Sequence, residues 1–217
     1  MKNLLFMLVV WGVVSVPVIA APAGNAAGHV TDVGSAKPAE VTHDTIVTKF
    51  DNGSVSRVYY VLHGTETRDG VSVTYHPNGN VAIEAPYVAG KLDGVFRSYY
   101  ENGKVWKTIG YRNGIEEGFS ISFHENGVRA LRESYKAGIL DGASEEWNEK
   151  GVLVRRIPYE NGQIHGRAQM FDELGALKEE MDFVRGIRNG IYRRYQKGVL
   201  TMEAEFQNNR CVKNCSF

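Results

Sequence analysis

The chain has 217 residues with 25 basic and 25 acidic side chains, so its formal charge is zero. That balance argues against a nucleic-acid groove or a polybasic membrane patch, both of which need a basic excess. Two cysteines and 24 glycines point away from a disulfide-dense miniprotein and toward a chain punctuated by turns.

The first 20 residues read as a secretion signal. Lys2 supplies a basic start, Leu4 to Val14 is an apolar run broken only by Gly12, and Val18-Ile19-Ala20 places short residues before a cleavage point at Ala21. The apolar run is short for a membrane span, and Pro17 sits at its end. With no further long apolar stretch, the exported protein is expected to be soluble, most simply in the periplasm or outside the cell. Residues 21–44 are rich in Ala, Gly and Pro and read as a flexible leader. Residues 45–69 look like a worn first repeat that caps the fold, with Phe50, Asn52-Gly53, Tyr59-Tyr60 and Gly64 at altered spacing.

From residue 70 to 209 the chain repeats every 24 residues. Gly70, Gly94, Gly118, Gly142, Gly166 and Gly190 lead the units. Five residues after each stands an aromatic: Tyr75, Tyr99, Phe123, Trp147, Phe171 and Tyr195. A second series, Tyr87, Tyr111, Tyr135, Tyr159, Phe183 and Phe206, is followed three residues on by Gly90, Gly114, Gly138, Gly162, Gly186 and finally Asn209. Runs of β-branched and aromatic residues flank Asn-Gly pairs at Gly53, Gly79, Gly103, Gly114, Gly127, Gly162 and Gly190. Asn-Gly predicts a two-residue hairpin turn with positive φ at both positions. A break about every ten residues excludes packed helices. Pro86 and Pro158 share one slot and predict lost pairing there, as at a bulge. The expected fold is all-β: an open, twisted, elongated antiparallel meander of tandem hairpins, roughly 60 Å long at the usual strand spacing. Both aromatic series are expected to form rows that hold the sheet together.

The chain ends at 210–217 in a cap containing Cys211 and Cys215. In an oxidising compartment the pair suggests a disulfide, which needs a turn around Lys213-Asn214. Free or intermolecular thiols are the alternative.

The unit GVFRSYYENGKVWKTIGYRNGIEEG resembles the MORN repeat in its bacterial variant form, known from YwqK-type antitoxin-like proteins. Matching pieces are Tyr99 to Gly103, Tyr111 to Gly114 and Gly118, recurring as Phe123 to Gly127 with Tyr135 to Gly142 and as Trp147 to Gly151 with Tyr159 to Gly166. The resemblance covers about 140 residues, 70–209. It implies strings of β-hairpins used for protein or lipid contact, and an antitoxin role. It carries over no catalytic residue.

No reactive constellation emerges independently. His76 and His124 occupy equivalent slots two units apart, on the order of 19 Å, too far to share a metal. Acid pairs such as Glu116-Glu117, Glu145-Glu146 and Glu179-Glu180 would point to opposite faces of a strand. No cofactor, metal or catalytic residue is expected. The positions that vary between units lie two and four residues after the leading glycines. Among them Phe96, Ser98, Ser120, Ser122, Ser144, Glu146, Met170, Tyr192 and Arg194 form a candidate binding face, with ordinary solvent exposure as the competing explanation. The expected function is non-enzymatic binding of a protein partner, such as a toxin or effector, in the cell envelope. A structural or adhesive scaffold contacting membrane surface, glycan or another envelope protein is the alternative.

Overall fold

The computed structural model describes residues 8–10 and 41–215. The expected signal at 1–20 and leader at 21–44 therefore lie outside the described residues, apart from 8–10 and 41–44. Among the described residues all regular structure is β, in one antiparallel sheet of 19 strands. Strand β1 (Leu8–Val10) pairs with β2 (His43–Lys49), and β2 with β3 (Val55–Leu62). Strand β2 thus starts two residues before residue 45, where the worn first repeat is expected to begin. The repeats follow as β4 (Gly70–Tyr75), β5 (Val81–Val88), β6 (Lys91–Leu92), β7 (Gly94–Tyr99), β8 (Val105–Arg112), β9 (Ile115–Phe123) and β10 (Arg129–Lys136). They continue as β11 (Ile139–Leu140), β12 (Gly142–Trp147), β13 (Leu153–Glu160), β14 (Gln163–Ile164), β15 (Gly166–Phe171), β16 (Leu177–Val184), β17 (Ile187–Gln196) and β18 (Val199–Gln207). The last strand is β19 (Arg210–Lys213). Each long strand pairs with its neighbours in sequence, so the sheet is an open meander.

Two kinds of turn alternate. The second turn of each unit is the expected two-residue turn with positive φ at both positions: Asn113 (52°) and Gly114 (82°) are the type, and Ala89, Ala137, Asn161, Arg185 and Asn208 fill the first position elsewhere. Asn209 (66°) stands where earlier units have glycine. The first turn differs from expectation. In the unit led by Gly94, Gly103 N–H donates to Tyr100 O and Tyr100 N–H to Lys104 O, and only the glycine has positive φ (81°). This is a type I turn closed by a glycine bulge. Asn52, Asn78, Asn102 and Asn126 keep ordinary φ there. Their side-chain oxygens instead accept from the backbone N–H two residues on, at 2.8–3.0 Å. The Asn189-Gly190 pair is not a turn but lies inside β17.

The leading glycines sit at a second irregularity. Between β5 and β7 the register changes from Tyr87↔Leu92 to Glu84↔Arg97, and Asp93 N–H donates to Pro86 O. A strand residue's N and O point the same way, so the proline nitrogen faces this bulge, where no ladder bond is lost. His165 N–H makes the same bond to Pro158 O.

Successive hairpins are laced at both rims. At the second-turn rim the turn glycine donates to the preceding unit: Gly90 to Arg68 O, Gly114 to Leu92 O, Gly138 to Glu116 O, Gly162 to Leu140 O and Gly186 to Ile164 O, at 2.7–2.9 Å. The residue before each of the first four leading glycines adds a carboxylate. Asp69, Asp93, Glu117 and Asp141 accept from the backbone N–H of Ala89, Asn113, Ala137 and Asn161. At the first-turn rim side chains reach forward. His76 Nε2 donates to Tyr99 O (3.0 Å), Tyr100 OH to Phe123 O (2.7 Å) and His124 Nε2 to Trp147 O (2.8 Å). Asn78 and Asn126 Nδ2 donate to Glu101 O and Glu149 O, both at 2.8 Å. The forward reach stops at Asp172, whose carboxylate accepts from Leu174 and Ala176 N–H within its own turn. The following turn, Lys197-Gly198, is one residue shorter and has positive φ at both positions.

The clasp forms as expected. Cys211 and Cys215 are disulfide-bonded with Cα atoms 5.8 Å apart, and Asn214 turns the chain with φ of 54°.

Gly110 has ordinary φ, yet a Cβ there would run into the Glu117 carbonyl across the β8–β9 bulge. Gly186 has open space but positive φ (79°). Gly186→Ala should therefore cost about 1–2 kcal/mol from backbone strain alone, whereas Gly110→Ala should cost clearly more, because backbone must move. Urea unfolding of the two variants checks the order.

Candidate functional site

Cross-strand register assigns every strand residue to one of two faces. One face carries the row Ser98, Lys107, Ser122, Leu131, Glu146, Arg155, Met170, Glu179, Arg194 and Met202, together with the second aromatic series. Ten residues are buried among those described: Ile46, Val61, Ala85, Met181, Ala204, Phe206, Ser72, Ser98, Ser120 and Glu180. All but Glu180 lie on that face. The sheet therefore curls toward it, and it is here called the inner face. A single-layer sheet can bury side chains only where curvature brings neighbouring rows together, and bulges supply that curvature.

All nine residues of the candidate binding face are on the inner face. Their environments differ. Ser98 and Ser120 are buried and form the floor of this face. A small hydroxyl at these slots lets the neighbouring rows close over. Phe96, Ser122, Ser144, Glu146 and Tyr192 are half-buried, and Met170 and Arg194 are exposed. Phe96 meets Tyr111 edge-on with ring centroids 6.4 Å apart, and Tyr192 meets Phe206 in the same way at 6.5 Å. The guanidinium of Arg68 lies between Tyr59 and Tyr87, at 4.9 and 5.3 Å from the ring centres.

The two aromatic series do not stack within themselves. Equivalent rings are two strands apart, about 10 Å, so each finds a different partner. Tyr99 hydroxyl donates to Glu84 (2.7 Å) and Tyr195 hydroxyl to Glu180 (3.3 Å), while Arg129 lies over Trp147 at 5.2 Å. These residues are on the outer face, opposite the second series.

The outer face carries one continuous row that changes character along the array. It begins Val47, Val58, Val73, Glu84, Arg97, Thr108 and Ile121, and continues Arg132, Glu145, Arg156, Gln169, Glu180, Arg193 and Glu203. Ion pairs link its second half: Arg132–Glu145 at 3.3 Å, Arg156–Glu145 at 3.5 Å, Arg193–Glu180 at 3.1 Å and Arg193–Glu203 at 2.8 Å. The acid pairs split between faces as alternation requires. Glu145 and Glu180 belong to this row, whereas Glu146 pairs with Arg155 (2.7 Å) and Glu179 with Arg194 (3.1 Å) on the inner face.

The described histidines are engaged locally. Besides the lacing pair, His43 meets Asp69, His63 meets Asp44 and His165 meets Glu160. His63 and the Gly64 N–H hold the Asp44 carboxyl below its usual range. Among the described residues no group of three or more His, Cys, Asp or Glu is arranged to hold a metal. No described helix is long and apolar enough to cross a membrane.

An inner-face cavity of about 240 Å³ lies between β13 and β17. Ala168 forms its floor, with Ile157, Met170, Met181, Phe183 and Tyr192 around it. Sequence reading passed over this feature. Its signal is Ala168, a methyl in a slot that Ser72, Ser120 and Ser144 also fill with small groups and Phe96 and Tyr192 fill with rings, beside Met181 and Tyr192 on the next strands.

Three segments, residues 68–89, 92–113 and 140–161, match the family model described as MORN repeat variant. Each match begins two residues before a leading glycine and ends in the second turn, so it spans one laced hairpin. The chain thus carries MORN-variant repeats, and its fold shows the same hairpin in the units led by Gly118 and Gly166. No curated protein matches the chain.

Burial and the neighbouring Glu133 push the Tyr135 phenol up to about 12, and burial with a hydrogen bond to Glu84 does the same for Tyr99. A raised phenol stabilises the fold fully below the unfolded value near 10.0, and that contribution is lost as pH rises through about 12. Phenolate absorbance should therefore rise in two phases, with Glu133→Gln and Glu84→Gln each moving one tyrosine from the late phase toward the early one.

Proposed function

We propose that the protein works by binding another protein on its inner face, without catalysing a reaction, and that it is an exported antitoxin- or immunity-like neutraliser acting in the cell envelope. The observation that carries this reading is a division of labour. Residues that recur from unit to unit are committed to turns, bulges and rim lacing. Positions vary on both faces, and those from Phe96 to Arg194 lie on the face toward which the sheet curls, between the rings of the second aromatic series. A scaffold that repeats beneath a surface that varies is what recognition requires.

The charges support a binding role over a chemical one. Inner-face acids and bases pair with each other, and the strongly raised phenols resist deprotonation, the wrong direction for a base at neutral pH. A tight inhibitor would be expected to cover about 1,600 Å² in total, which several adjacent units can offer. The envelope assignment rests on residues 1–20, and the neutraliser assignment on the repeat family.

One observation favours a second reading. Trp106 is half-exposed beside Tyr100, with ring centroids 6.2 Å apart, an aromatic surface of the kind that stacks on sugar rings. A glycan-contacting envelope scaffold would use it.

A photo-cross-linking side chain placed at Phe96 or Tyr192, on the inner face, should yield one stoichiometric protein adduct in the source cells. The same group at exposed Val71, on the outer face, should yield none. Equal adducts from both faces, or none, would remove the inner-face reading. An adduct partner that is harmless when expressed alone would remove the neutraliser and leave the binder.

A further inference from the structure

We infer that the cavity over Ala168 is an anchor pocket that receives a single apolar side chain of a protein partner, of the size of leucine or phenylalanine. The inference rests on the reading of the inner face as a protein-binding surface and says where on that face the partner is held.

Size is the first argument. At about 240 Å³ the cavity is smaller than the 300–1,000 Å³ typical of pockets for cofactors or drug-sized molecules. It suits one buried side chain. The cavity also has a structural cause. Along the inner face Ala168 stands opposite Met181, which stands opposite Tyr192. A methyl group between longer neighbours leaves a space that no side chain of the protein fills.

Electrostatics is the second argument. The charged groups at the mouth are already matched: Arg155 to Glu146 at 2.7 Å, and Glu179 to Arg194 at 3.1 Å. A charged occupant would be desolvated with no free counter-charge to meet it, which is costly. An apolar occupant gives up only water, at about 25 cal/mol per Å² covered. The paired arginines and acids remain at the rim to hydrogen-bond the backbone that carries the anchor.

Support of the walls is the third argument. Met181 belongs to the buried cluster with Ala204 and Phe206, against which Phe183, Tyr192 and disulfide-bonded Cys211 pack. Those residues are packed on the β17–β19 side, so that wall of the pocket is formed before the partner arrives. Anchor residues that enter preformed, desolvated pockets dominate protein interfaces.

The test uses the full chain with methyl-labelled methionine and single-side-chain probes. N-acetyl-leucinamide and N-acetyl-phenylalaninamide should each produce saturable NMR shifts at the Met170 and Met181 methyls, and N-acetyl-alaninamide should not. Ala168→Leu fills the space and should weaken the response at least about tenfold. Met170→Gln changes only an exposed wall and should weaken it too, which keeps the test decisive if the first variant folds poorly. Absence of saturation with either large probe, or an equal response to the alanine probe, would overturn the proposal. So would saturation by decanoate at lower concentration than both amides, which would assign the pocket to an acyl chain. The probes read this pocket alone, so their failure leaves the wider inner face to the cross-linking result.

Discussion

The structure depends on hydrogen bonds between turns that lie 20 to 25 residues apart in the chain. A single-layer sheet with six buried apolar side chains among its described residues gains little from a core. What stabilises it is the strand ladder and the lacing that ties each hairpin to the next. The 24-residue period follows from this requirement. His76 reaches Tyr99 O, and Tyr100 reaches Phe123 O, because both steps return the chain to the same height beside itself. A unit of different length would leave donors and acceptors out of step. The last unit illustrates the point: it is one residue shorter, its first turn changes type, and the forward side-chain lacing of the first-turn rim ends at Asp172 just before it.

The hairpin architecture, the disulfide and the bulge at Pro86 and Pro158 were legible in the sequence because each rests on local backbone chemistry. Positive φ at Asn113 and Asn209, and the missing donor of proline, leave few choices. Three features were not legible. The asparagines of the first turns make side-chain bonds within their own turn, and Asn78 and Asn126 also reach the next unit, whereas an Asn-Gly pair read locally suggests only φ. The two aromatic series fall on opposite faces because each leading glycine stands opposite a second-series ring and the first-series ring follows that glycine by an odd five residues, and this cross-strand register is invisible to a period count. Ser98 and Ser120 are buried because the sheet curls, and curvature is a property of many bulges together.

The candidate face was legible as a set of varying positions, though its character was not. Sequence showed small polar residues in the middle and larger ones toward the C-terminal end. In the folded chain the first group becomes floor and the second becomes the wall of a pocket. The outer face has its own asymmetry, apolar at Val47, Val58 and Val73 and ionic from Arg132 to Glu203. Its ion pairs are partly exposed and cross-strand, so their contribution is mainly to register. The faces thus serve different ends: one keeps the hairpins in step, and the other offers variable, half-buried side chains to a partner.

The most direct measurement of the account is urea unfolding of two internal deletions. Removing residues 94–117 joins Asp93 to Gly118, so Asp93 can take over the bond that Glu117 makes to Ala137 N–H. The protein should then unfold cooperatively, with a smaller denaturant dependence in proportion to the surface lost. Removing residues 94–105, half a unit, should abolish cooperative unfolding, because every later turn would face the wrong rim. Equal cooperativity in the two deletions would contradict the claim that lacing between turns holds the sheet in step.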